Sequence, residues 1–318
     1  MSGYDKKGRI ACTTVFVLMT NKCCRTQWGM LLVLMLGGLY VLASLNRNWR
    51  RGSQYLDGNI LEGQPRRISI LIMTTRYERI YPMIHHYTRM TAVSDILIVW
   101  NNVHKPPPAL INYDFPVPVR VVIEAKNTLN NRYRHPDLLK SKFVVLTDDD
   151  LLLDWKTVHY SLNFLHQNPS TLVGFFPRYI SQSRGKWVYE PARSWSRWLF
   201  DPSTFMLTTG QAHALHVDWM LRFLQLSPEI LQFIDNNKPT CEDITLHFLV
   251  ANATGPENVA CLVPCSPRNI GHEHGMSQGS RSHVEKWLAK RSQCIDRLDR
   301  QFGRMPLLGS RRMHVVPC

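Results

Sequence analysis

Three adjacent carboxylates, Asp148, Asp149 and Asp150, follow an apolar run of strand length at 143–146 and give way at once to Leu151, Leu152 and Leu153. A buried parallel strand delivers acids to the carboxyl edge of a sheet in this way, and open α/β sheets bind ligands along that edge. Side chains alternate along a strand, so Asp148 and Asp150 are expected to share one cation while Asp149 faces elsewhere. Oxygen ligands suit a hard, octahedral ion, Mn²⁺ or alternatively Mg²⁺. A solvated acidic turn is the competing account of a lone Asp triplet, and the apolar runs on both sides shift the balance toward function.

A second cluster with chemical potential is Cys241-Glu242-Asp243-Ile244-Thr245-Leu246-His247-Phe248. Ile244, Phe248 and Ala251 fall on one helical face, so the segment reads as a helix with acids in its first turn. On the residues alone, Asp243 serves either as a cap or as a reacting acid. The histidines His272, His274 and His283 suggest a zinc hydrolase, but the i, i+4 pair of HExxH is missing. The stretch 271–280 therefore reads as a loop over an acceptor site. Arg193, Trp195, Arg197 and Trp198 interleave cations with aromatics, which fits sugar stacking and a solvated loop equally. His213 and His216 read as packing or surface residues.

The elements that must position these residues alternate along the chain. Apolar strands are expected at 67–73, 95–100, 117–123 and 143–146, with a helix at 80–90, and this pattern describes a parallel, doubly wound sheet. Residues 171–178 read as a further strand, 185–189 as its antiparallel partner, and 212–226 shows helical spacing. No internal repeat is present.

Ahead of this region, residues 28–45 are almost wholly apolar, close to the length that crosses a bilayer, with Trp28, Tyr40 and Trp49 where interfacial aromatics belong. Lys6, Lys7, Arg9, Lys22 and Arg25 precede the span, against Arg47, Arg50 and Arg51 beyond it, which favours a cytosolic N-terminus. The expected organisation is a cytosolic tail at 1–25, a transmembrane signal anchor at 26–46, a stem at 47–66 and a luminal domain at 67–318. The net charge of +14 and pI of 9.6 point to anionic partners, although part of that charge flanks the span. Cys23 and Cys24 sit at the cytosolic border, where palmitoylation is open to them. Cys241, Cys261, Cys265, Cys294 and Cys318 are an odd luminal set, which leaves pairing between chains, and hence a homo-oligomer, open. No Cys-x-x-Cys pair supports structural zinc. Asn252-Ala253-Thr254 is a glycosylation sequon.

Taken in order, LIMTTRYER at 71–79, IVWNN at 98–102, KNTLNNRYRHP at 126–136, VVLTDDD at 144–150, LVGFFPRYI at 172–180, CEDITLHF at 241–248 and KRSQCIDRL at 290–298 resemble the exostosin-like glycosyltransferase domain, glycosyltransferase family 64. The likeness spans about Ile68 to Met305. It implies a GT-A fold, Mn²⁺-dependent retaining transfer from a UDP-sugar, and a single-pass type II protein of the Golgi or endoplasmic reticulum membrane. By the same resemblance, Asn101, Asn127, Arg132 and a first-loop arginine grip UDP. Arg76 and Arg79 both compete for that last place, with Arg79 favoured, because the first loop is one residue longer than the family pattern. Asp150 matches the metal ligand, while Asp148 and Asp149 contact nucleotide, sugar or metal-bound water. Asp243 matches the acid beside the reacting sugar, Arg291 the arginine near the leaving diphosphate, and Cys241 pairs with Cys294.

The partners implied are a UDP-sugar donor and a glycan or glycoconjugate acceptor of heparan-sulfate or glycolipid type, with no nucleic acid; the sugar moved is taken as an N-acetylhexosamine. The alternative function is a catalytically weak binder of anionic glycans with the same fold. Retention of Asp150, Asp243, Arg132 and Arg291 together favours the enzyme.

Overall fold

The computed structural model describes residues 67–109, 114–190, 205–236, 241–271, 281–310 and 312–318. The expected tail, membrane anchor and stem, the Arg193–Trp198 segment, and His272 and His274 lie outside the described residues. Among the described residues, no helix is long and apolar enough to cross a membrane.

The central sheet begins with β1 (Ile68–Thr74), β2 (Val93–Trp100), β3 (Val119–Ile123) and β4 (Phe143–Asp148). It is completed by β6 (Leu172–Gly174), β10 (Ala212–His216), β11 (Val259–Val263) and β13 (Arg312–Val315), in the order β13-β11-β6-β10-β4-β1-β2-β3. Every residue of β1 is buried. Ile68, Ile70 and Ile72 pack on one face of the sheet, Leu71 and Met73 on the other, as the strand period of two requires. Helices α1 (Tyr77–Tyr87) and α2 (Trp155–Gln167) cover the first face. Helices α3 (Asp218–Leu224), α4 (Pro228–Asn236), α5 (Glu242–Thr254) and α6 (Arg281–Phe302) bury apolar residues against the second. Burial on both faces explains why these strands read as continuous apolar runs, each buried Ile or Leu contributing about 2 kcal/mol.

The helix starts are local decisions. Asp154 caps α2, its Oδ1 accepting from the Thr157 amide at 2.9 Å and its Oδ2 from the Thr157 hydroxyl at 2.7 Å. Capping of this type is worth about 1 kcal/mol. Helix α5 is buried nearly all round and ends at Gly255, whose φ of +100° lies where a side chain is strained.

Three expectations change. The neighbouring pairs of the described sheet are parallel except for β10, which runs antiparallel to both β4 and β6. The chain enters β10 from β9 (Phe205–Thr208), a strand of a separate sheet, through the short turn 209–211. The helical spacing at 212–226 divides into β10 and α3, because Ala212 and Ala214 are buried on one face of the sheet and Leu215 on the other, so the strand shows no polar alternation. The run 171–178 likewise divides between β6 and β7 (Pro177–Ser183). β7 pairs antiparallel with β8 (Lys186–Glu190), the partner expected from sequence, and with β9. A two-stranded ladder joins β5 (Leu151–Leu152) to β12 (Arg268–Asn269) beside the Asp triplet.

Cys241 and Cys294 form a disulfide with Cα atoms 5.7 Å apart, as the resemblance implied, and Cys265 pairs with Cys318 at 5.2 Å. Cys261 is a buried thiol, pushed up to about 12 by burial. Each bridge closes a loop of 53 residues, for which chain entropy gives about 4 kcal/mol. Non-reducing peptide mapping is expected to recover 241–294 and 265–318 as cross-linked pairs with Cys261 alkylated only after unfolding. A Cys261-containing cross-link would refute this pairing.

Candidate active site

The carboxyl ends of β1, β2 and β4, the turn 209–211 and the first turn of α5 surround one cleft of about 390 Å³. Thr74, Arg76, Asn101 and Asn127 line one side of it. Asn101 is buried at the end of β2, where its Nδ2 donates to Asn127 Oδ1 and to the Thr128 carbonyl, both at 3.0 Å. Its Oδ1 accepts from Asn131 Nδ2 at 2.6 Å. The asparagines thus brace the loop after β3 against the end of β2, and the exposed Asn127 presents that loop to the cleft. The two first-loop arginines separate. Arg76 lines the cleft and lies 3.6 Å from Asp149, whereas Arg79 donates to the Ile270 carbonyl and is not among the lining residues.

The three aspartates take three different partners. Asp148 is held by Arg132, which is buried and also donates to the Gly210 carbonyl at 2.6 Å. Burial pushes the Asp148 carboxyl up to about 7; Arg132 opposes this, and Asp150 and Asp149 add to it. Burial works against the charge on Arg132, but Asp148 and Glu242 outweigh it and hold the guanidinium protonated. Asp149 accepts from the Thr74 hydroxyl at 2.5 Å, and burial raises its carboxyl against the pull of Thr74 and Arg76. Asp150 has a buried Oδ1 with no hydrogen-bond partner. Its carbonyl accepts from the Ile270 amide at 2.7 Å, and Gly271 packs so closely that a Cβ there would lie 2.5 Å from Asp150 Oδ2.

A divalent cation fits this donor set through Asp150 rather than through Asp148 and Asp150 together. Asp148 is engaged by Arg132, and among the described residues no three His, Cys, Asp or Glu side chains gather closely enough to hold an ion alone. Mg²⁺-like ions on nucleotides need little more than one carboxylate, since phosphates and water complete the octahedron. The charge balance points the same way. Five carboxylates and three arginines line the cleft, so a diphosphate entering it meets an existing acid excess.

Across the cleft, Asp243 and Arg291 form an ion pair at 2.6 Å with side chains 1% and 5% exposed. Asp243 stands in the first turn of α5, where its Oδ1 also accepts from the Ile244 amide at 2.8 Å. Arg291 comes from α6 and lies 4.4 Å from the Tyr189 ring and 5.2 Å from the Trp287 ring, a stack worth more because it is desolvated. The Cys241–Cys294 bridge ties the two helices beside this pair. Arg291 is held protonated, Asp243 outweighing the opposing effect of burial. Gly210 faces Asp243, and a Cβ there would lie 3.0 Å from its Oδ2.

The cleft thus collects Arg76, Asn101, Asn127, Arg132, Asp148, Asp149, Asp150, Asp243 and Arg291, and leaves Arg79 to a supporting contact. Arg132 reaches the site through Asp148 and Gly210 instead of lining it. Sequence reasoning missed Glu242, which is buried in the lining with an Oε2 lacking any partner. Burial and Asp243 push its carboxyl up to about 7. Its place beside Asp243 at a helix start was the available signal. Gly210, Gly271 and Arg178 had none, because only folding brings them to the cleft. His283 is exposed on α6, away from the lining.

The sequence profile of the glycosyl transferase family 64 domain matches residues 68–316. Glucosamine inositolphosphorylceramide transferase 1 of Arabidopsis thaliana is 30% identical over 222 residues, covering 69% of this chain and 28% of the relative. Glycosylinositol phosphorylceramide mannosyl transferase 1 of the same plant is 29% identical over 254 residues, covering 75% and 73%. Exostosin-2 of Mus musculus is 28% identical over 265 residues, covering 81% and 35%. The chain thus spans about a third or less of the first and third of these relatives.

The ion pair itself is testable without any substrate. Arg291→Met leaves Asp243 buried without its cation and is expected to cost about 3–5 kcal/mol in chemical denaturation. Adding Asp243→Asn removes the stranded charge and should recover part of that loss. A single variant as stable as the parent would mean that Asp243 is not carried as an anion.

Proposed function

Because the chain belongs to the glycosyl transferase family 64 domain, we propose that it is a retaining glycosyltransferase of GT-A architecture. On this reading it moves a sugar, taken as an N-acetylhexosamine, from a UDP-sugar to a glycan or glycoconjugate acceptor of heparan-sulfate or glycolipid type. The observation that carries it is the single cleft at the carboxyl edge of the sheet. Amide and guanidinium donors stand on one side, carboxylates crowd the middle, and the Asp243–Arg291 pair closes the other side. Nucleotide, diphosphate and sugar need those three environments in that order.

Arg76 offers a fork of donors to phosphate, and Asn101 and Asn127 position the loop against which uracil rests. A cation on Asp150, Mn²⁺ or Mg²⁺, would supply Lewis-acid neutralisation of the diphosphate as it departs. In the transfer, the acceptor oxygen bonds to the anomeric carbon on the face that UDP leaves. The bond from that carbon to the diphosphate oxygen breaks, and this oxygen takes the acceptor's proton. Asp243 stabilises the positive charge that develops on the sugar, and Arg291 the negative charge on the leaving diphosphate. Glu242, balanced between its two protonation states near neutrality, is suited to hold a sugar hydroxyl.

Membrane anchoring through residues 26–46, with the domain in the Golgi or endoplasmic reticulum lumen, is the location that suits the apolar segment. The two disulfides support an oxidising compartment.

A panel of UDP-GlcNAc, UDP-GalNAc, UDP-GlcA and GDP-mannose, the last included because one relative is named a mannosyl transferase, tests the reading with Mn²⁺ and with EDTA. Turnover of a UDP-sugar is expected with Mn²⁺ alone, with retained anomeric configuration. No turnover of any donor, or an inverted product, would overturn it. Asp150→Asn should abolish metal-dependent UDP binding in calorimetry while leaving the melting curve in place. Asp243→Asn should lower turnover by orders of magnitude with little change in UDP affinity.

A further inference from the structure

Beneath the Asp243–Arg291 pair lie two histidines that the transfer mechanism does not use. His213 on β10 and His247 on α5 are both fully buried, with ring centroids 5.1 Å apart, and neither lines the cleft. The His247 ring bridges two walls of the site. Its Nε2 lies 3.0 Å from the Thr208 amide, and its Nδ1 lies 2.6 Å from the Asp243 carbonyl. A backbone amide can only donate and a carbonyl can only accept. Nε2 must therefore carry the lone pair and Nδ1 the proton, so the hydrogen bonds dictate one neutral tautomer.

The Thr208 end of the bridge is equally constrained. Its hydroxyl stands 2.8 Å from His247 Nε2 and 3.2 Å from His213 Nε2. Gly174, opposite His213 in the ladder, makes the room, since a Cβ there would come within 1.8 Å of the Thr208 hydroxyl. Two residues beyond Thr208, Gly210 packs against the Asp243 carboxylate and accepts from Arg132. The imidazole thus links the turn that backs Asp243 to the helix turn that carries it. A residue that merely filled volume would not need both ring nitrogens engaged.

We propose that His247 is a positioning residue, which sets the first turn of α5, and with it the Asp243 carboxylate, at a fixed distance from the Thr208–Gly210 turn. His213 and Gly174 hold Thr208 in register for it. The inference rests on the assignment of Asp243 to the sugar side of the cleft.

Burial, aided by the facing arginines, keeps both rings neutral. Burial lowers His247 to about 4, with Arg291 adding to the effect while the Asp243 carbonyl and carboxylate oppose it. His213 is lowered well below its usual range by burial, His247, Arg132 and Arg291. The unfolded chain takes protons on both rings near pH 6.5, whereas the folded chain does not. The contribution of these two rings to stability is therefore complete above about pH 6.5 and falls as the pH drops toward 4.

Two single-link variants of the full chain separate positioning from packing. His247→Gln can still accept from the Thr208 amide but withdraws the donor from the Asp243 carbonyl. His247→Asn keeps a donor near that carbonyl and releases Thr208. Each is expected to lower kcat by about ten- to a hundredfold, with donor KM and calorimetric UDP affinity within about twofold of the parent. Parental kcat in both, or a matching loss of UDP affinity, would overturn the proposal. Nitrogen-15 spectra give a readout independent of turnover. The ring signals absent from His247→Gln should show the Nδ1–H tautomer unchanged between pH 7.5 and 5.5, and a ring titrating near 6.5 would overturn the bridge. A parent chain that transfers no sugar sinks the transferase reading instead, and the spectra then decide the bridge alone.

Discussion

Asp243 and Arg291 meet at 2.6 Å in surroundings that exclude nearly all solvent, so each charge survives burial only because the other is present. The surrounding structure reads as provision for that contact. Tyr189 and Trp287 give the guanidinium aromatic faces, the Ile244 amide takes the second carboxylate oxygen, and the 241–294 disulfide prevents the two helices from parting. Gly210 leaves the acid room on its remaining side. From Gly210 the chain of contacts passes to Arg132 and on to Asp148, which joins the far wall of the cleft to the end of β4. A side chain larger than hydrogen at position 210 would disturb both ends of that chain at once.

The Asp triplet poses the opposite electrostatic problem. Adjacent carboxylates repel, and the fold relieves this by giving each one different company: Arg132 for Asp148, Thr74 and Arg76 for Asp149, and nothing for the Oδ1 of Asp150. The unpartnered oxygen is therefore the one with capacity for a ligand. The β5–β12 ladder and the Ile270 amide hold the backbone of Asp150 in place, and Arg79 fastens the same segment from the first turn of α1. The arginine favoured from sequence for nucleotide contact thus supports the wall, and its neighbour Arg76 reaches the cleft.

The amino-acid sequence by itself determined the first four strands, the helix bearing Asp243, the site at the carboxyl edge and the family. Apolar runs of strand length at 68–73 and 143–146, alternating with helical stretches, read as buried strands, and acids placed directly after one emerge at its end. Motifs in fixed order then identify a family even where each is short, which also supplied the 241–294 pairing before any geometry.

What tertiary structure alone decided depends on contacts between segments distant in the chain. The reversed strand β10 looked helical because a strand buried on both faces of its sheet loses its alternation. Which of Arg76 and Arg79 lines the cleft turned on a carbonyl at position 270, and the 265–318 pairing on where the C-terminus returns to the sheet. Gly174, Gly210 and the His213–Thr208–His247 group carry no signature, since their roles come from what lies within a few ångströms of them. Periodicity records which face of an element is buried, and it holds no information about which partner buries it.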